Sequence, residues 1–139
     1  MNRSSLTTLA AAVVGVLLAI SPVFPQADLA KSLVGKWEGD IQLIASVGSS
    51  GDPNRTLIIE SADQKEGKWV ARGRYGVTGK GLGKVDIEVD ESSGRPSIRF
   101  VTGAGSTVRL SLIGPKDMSG TIRLTGEARE RPMRLEKKD

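Results

Sequence analysis

From Lys68 to Asp90 the chain reads KWVARGRYGVTGKGLGKVDIEVD, apolar or small residues alternating with charged ones on either side of a glycine-rich centre. A period of two belongs to a strand, whose successive side chains point to opposite faces, and it cannot be laid on a helix. Setting Tyr75 opposite Val85 puts Gly73 against Ile87 and Ala71 against Val89 on one face. The other face then pairs Arg74 with Asp86 and Arg72 with Glu88. A slip of one residue would exchange the two faces and lose both sets of pairs. The next run extends the pattern, with Ile87 meeting Phe100 and Glu88 meeting Arg99. It also sets Arg99 opposite Arg109, a like-charge contact that speaks against the register of that third hairpin.

The same alternation recurs in Gly35–Ile44, Thr56–Ser61, Lys68–Tyr75, Lys84–Asp90, Ser97–Thr102, Thr107–Ile113, Thr121–Gly126 and Pro132–Lys137. Segments rich in Gly, Ser, Asp and Pro separate these runs. After Ala30 there is no long helical period. The expectation is an all-β fold: a single antiparallel up-and-down β-barrel of about eight strands, which removes exposed sheet edges by closing. Its inward set is Trp37, Ile41, Leu43, Leu57, Ile59, Trp69, Tyr75, Val85, Ile87, Val89, Ile98, Phe100, Val108, Leu110, Leu112, Ile122, Leu124, Met133 and Leu135. Pro132 opens the last strand, where ladder bonds begin.

The first 27 residues read differently. Arg3 is their only charge, Leu6 to Ile20 is an apolar run, and SPVFPQA follows. That is the secretory pattern, with cleavage expected after Ala27, although Pro25 fits the small-residue rule poorly. An uncleaved anchor is the alternative. The expected organisation is a signal peptide over residues 1–27 and one barrel domain over residues 28–139. Without Arg3 the mature chain holds 19 basic against 16 acidic residues, a net charge of +3. The balance is mixed, which favours a solvated surface over a nucleic-acid stripe. The chain has no cysteine and no histidine. Disulfides, thiolate nucleophiles, histidine relays and the ordinary zinc and copper sites are therefore excluded. An exported chain without cysteine points to the bacterial periplasm or exterior.

Gly35 and Trp37 open the first period-two strand, and in this the chain resembles the lipocalin/calycin superfamily. The resemblance covers most of residues 33 to 138 in pattern and a handful of positions in identity. It implies that Trp37 plugs the closed end of the barrel beneath an arginine of the last strands, for which Arg123 and Arg134 are the candidates. The disulfide and further motifs of the larger members are missing, so the family's functions transfer poorly.

Trp69 and Tyr75 point inward on one strand beside the small residues Ala71 and Gly73. With Phe100 they are the candidate lining of a ligand cavity, because an eight-stranded barrel can hold one small molecule. The competing account is that the small residues let strands coil tightly around a full interior. Asp86, Glu88 and Asp90 share a face but have arginine partners across the sheet, so a salt-laced surface explains them better than a metal site. TGKGLGK, residues 78 to 84, fails the phosphate-loop spacing and reads as a hairpin tip. The basic residues around Arg129 to Lys138 are interleaved with acids and read as a solvated end.

The expected function is a non-enzymatic exported barrel, with no cofactor and no metal, that binds a small apolar or amphipathic ligand inside. The alternative is a filled barrel that engages an envelope protein, as an inhibitor would, through loops such as Ala45–Arg55. Nucleic acid is not an expected partner, since the aromatics face inward. Membrane contact is expected only through an uncleaved signal segment.

Overall fold

The structure is a computed structural model that describes residues 26–42, 52–92 and 94–139. A short helix, α1 (Gln26–Leu33), precedes eight strands: β1 (Gly35–Ile41), β2 (Asn54–Lys65), β3 (Lys68–Val77), β4 (Gly83–Asp90), β5 (Ser97–Val101), β6 (Thr107–Gly114), β7 (Asp117–Arg123) and β8 (Arg131–Lys138). They form one closed barrel in sequence order, and β1 completes the circle by pairing antiparallel with β8. The up-and-down antiparallel barrel expected from the alternation is the fold. The inward residues of every strand meet in one core, which includes Trp37, Leu57, Ile59, Ile87, Phe100, Val108, Leu110, Ile122 and Leu135. Leu43 and residues 45–51 of the long loop lie outside the described residues.

The β3–β4 register differs from the expected one by two residues. Ala71 pairs with Ile87, Arg72 with Asp86, Gly73 with Val85 and Tyr75 with Gly83. The turn explains this: the Lys80 amide donates to the Val77 carbonyl (3.0 Å), and Gly79 takes φ of +85° at the third turn position. Only glycine adopts that backbone cheaply, so it centres the hairpin one residue earlier than a symmetric reading does. A shift of two keeps each side chain on its face, so the inside and outside sets survive while the partners change. Arg74 consequently binds Glu60 of β2 (2.9 Å) instead of Asp86. The like-charge contact on the third hairpin is real: Arg99 lies opposite Arg109 and Phe100 opposite Val108.

Three boundaries in two strands also move. Strand β7 starts at Asp117, not Thr121, because Met118 turns inward and is 1% exposed. It stops at Arg123, where a turn closes from the Glu127 amide to the Leu124 carbonyl and Gly126 takes φ of +84°. Strand β2 runs on to Lys65 through a bulge between Ile59 and Ser61, which returns Ala62 to the inner side against Ala71. Helix α1 is too short to show a period, and the alternation does not announce it.

Candidate functional site

The end of the barrel where β1 starts and β8 finishes is sealed by α1. Leu33 is fully buried there, and the Trp37 indole N–H donates to the Leu33 carbonyl (2.9 Å). Neither arginine candidate lies over Trp37. Arg123 points outward to Glu130 (3.7 Å) and Arg134 outward to Asp117 (3.6 Å). The cation over the ring is Lys137, the direct β8 partner of Trp37, with Nζ 5.5 Å from the ring centroid. Lys137 also donates to the carbonyls of Lys31 (2.9 Å) and Ser32 (3.3 Å), so it satisfies the last carbonyls of α1. Gly35 makes this seat: a Cβ there would come within 2.7 Å of the Lys137 Cε. Burial lowers the Lys137 pKa from its ordinary value, helped by the charge of Lys116 and opposed by Asp139. The sequence signal for Lys137 was the β1–β8 pairing that a closed barrel requires.

The five interior candidates are not gathered into one lining. Tyr75 and Phe100 meet edge to face with ring centroids 5.2 Å apart, towards the end opposite α1. Trp69 stands near the other end of β3, half-buried against the core. Between them, Ala71 is fully buried and Gly73 faces the neighbouring strand at close range. A Cβ on Gly73 would lie 2.0 Å from the Ile58 carbonyl oxygen. Gly39 and Gly120 repeat this geometry, at 1.8 Å from the Arg134 carbonyl oxygen and 1.9 Å from that of Arg109. The space beside these glycines is taken by backbone, which lets adjacent strands coil inward.

Among the described residues, two buried side chains toward the end opposite α1 carry a polar atom without a hydrogen-bond partner. Arg131, 2% exposed, holds Glu127 with Nε and Nη2, while its Nη1 has no hydrogen-bond partner. The Tyr75 hydroxyl is likewise buried without one. Burial raises the Tyr75 pKa above 10.0, against the pull of the Arg55 guanidinium. The carboxylates of β4 go where a surface reading puts them. Asp86 faces Arg72 at 4.0 Å and Glu88 faces Arg99 at 3.6 Å, all four side chains exposed. Asp90 accepts the Ser92 amide (2.8 Å), which lowers its pKa.

The outer faces of β5, β6 and β7 form a grid of three rows. Ser97, Ser111 and Ser119 make the first, Arg99, Arg109 and Thr121 the second, and Val101, Thr107 and Arg123 the third. These nine residues include three arginines and no carboxylate. A groove of about 1070 Å³ runs from this grid towards β3, past Arg109, Arg99, Glu88 and Val70.

Comparison with protein-family models, with curated proteins and with solved structures gives no match. The fold itself defines the class: a closed eight-stranded antiparallel barrel, consistent with a lipocalin-like fold. Its outward positions include Lys36, Glu38, Arg72, Asp86 and Arg134, charged where the outer band of a membrane-spanning barrel is apolar.

Proposed function

We propose that the protein is a non-enzymatic, lipocalin-like module of the bacterial envelope. It is exported by its N-terminal segment, its barrel is filled, and it engages an envelope protein through its outer surface and loops. The observation that carries this reading is the close approach at Gly73, Gly39 and Gly120, where a carbonyl oxygen of the next strand stands within 2.0 Å of where a Cβ would be. Room for a ligand beside Ala71 and Gly73 would need those strands apart. The Gly35–Trp37 seat, closed by Lys137 in the role the resemblance gives to an arginine, supports the lipocalin-like assignment. Around Tyr75 and Phe100 the core is otherwise made of Trp37, methionine and aliphatic side chains, as a filled barrel would have it.

One observation favours an interior ligand instead. The Tyr75 hydroxyl is buried without a partner, and a polar ligand atom would satisfy it. Native mass spectrometry of the exported, purified protein separates the two readings. The filled barrel gives the bare mature mass; a fixed adduct lost on denaturation establishes an occupied interior and overturns it. Ala71→Leu gives a second check, since it would abolish adduct binding in a carrier, whereas Gly73→Leu would collide with the Ile58 carbonyl in either case.

A further inference from the structure

We infer that the outer face of β5–β7 docks on an anionic lipid surface through phosphate head groups, a contact beyond the protein–protein reading above. The first observation is the side-by-side placement of Arg99 and Arg109 on adjacent strands. Like charges directly opposite one another destabilise a sheet, and a chain with acidic residues to spare on β4 sets none between them. Arg109 has no ion-pair partner among the described residues. Arg99 and Arg123 hold only exposed partners on the flanks of the face, Glu88 at 3.6 Å and Glu130 at 3.7 Å.

The second observation is independent of charge. Three large hydrophobic residues stand out as exposed in the described structure, and two of them belong here: Val101 at 50% and Ile113 at 45%. Val101 lies on the grid beside the arginines, and Ile113 continues β6 past it. Apolar side chains flanking an arginine pair with no carboxylate between its members suit the boundary of a bilayer, where phosphates take the guanidinium forks and the apolar tips enter the head-group layer. The intervening hydroxyls can donate to the same phosphate oxygens. Five of the nine grid residues are Ser or Thr. A purely acidic partner would meet the arginines and leave Val101 and Ile113 in water.

The test is sedimentation of the exported, purified protein with vesicles of phosphatidylcholine alone and with an added third of phosphatidylglycerol. We expect binding only to the anionic vesicles, weakened by salt. Each change of Arg109→Ser or Arg99→Ser should lower the partition coefficient about fivefold, the factor for about 1 kcal/mol per basic residue at such a surface. Val101→Asp should lower it further, while Lys84→Ser, on the outer face of β4, should leave it nearly unchanged. Circular dichroism and thermal melting confirm that each variant is folded. Equal binding to both vesicles, or an equal loss with Lys84→Ser, overturns the inference. So does binding to poly-glutamate but not to vesicles, which assigns the face to an acidic protein. None of these outcomes bears on the filled interior, which the mass measurement decides.

Discussion

Tyr75 is the only tyrosine in the chain, so its titration can be read directly by absorbance near 295 nm. Because burial raises its pKa, the folded state keeps the phenol proton to a higher pH than the unfolded chain does. The sign follows: stability is unaffected below pH 10 and falls as pH rises through 10 towards the raised value. Tyr75→Phe should flatten that alkaline loss. At neutral pH it should change stability by no more than about 1 kcal/mol, because the buried hydroxyl has only the Arg55 guanidinium to interact with. Urea unfolding of both proteins at neutral and alkaline pH checks both effects. Lys137 makes the opposite case, a polar group whose partners are all present. Lys137→Ala should cost about 1 kcal/mol, because it strips two carbonyls of α1 and the Trp37 face of their cation. The resemblance pointed to an arginine over Trp37, either Arg123 or Arg134, and the cation there is Lys137. Arg123 and Arg134 fall on outward positions, whereas the position directly across the β1–β8 ladder, Lys137, reaches the ring.

At the level of elements, strands declared themselves and α1 did not. Away from the bulges in β2 and β6, a strand that buries one face carries its own evidence, since its inward residues recur every two positions. Helix α1 has eight residues, and its structural contribution rests on Leu33 and two backbone carbonyls, contacts that leave no pattern in the sequence. Its importance can be measured. Leu33→Ala should destabilise the barrel by about 2–5 kcal/mol, the range for truncating a fully buried leucine, and shift the urea midpoint accordingly. A loss within error would mean that α1 merely rests on the barrel. The same logic explains the register of β3–β4. Alternation assigns faces, but a two-residue shift preserves faces, so only the turn at Gly79 could choose between registers. The β7 boundary escaped for a related reason: Met118 is a single inward residue amid turn-forming neighbours.

For the whole molecule, what matters is how tightly eight strands can close around this set of side chains. The sequence showed which residues face in, but small inward residues fit a cavity and a tightly coiled barrel equally well. The interior candidates therefore could not be assigned a role from sequence. The deciding quantity is the distance between neighbouring backbones, which composition does not encode. Two glycines of the same hairpin turn this into a measurement. Gly73 has an Ile58 carbonyl oxygen 2.0 Å from the place a Cβ would take, whereas a Cβ on Gly81 would meet nothing within 4 Å. Gly81→Ala should be neutral, or stabilising by up to about 1 kcal/mol, because it only restricts the unfolded chain. Gly73→Ala should cost about 3 kcal/mol or more, because β2 and β3 must separate to admit one methyl group. If Gly73→Ala instead melts like the parent, the strands part readily there and the barrel has room to open. The interior would then regain its claim to a ligand, with Tyr75 as the polar anchor.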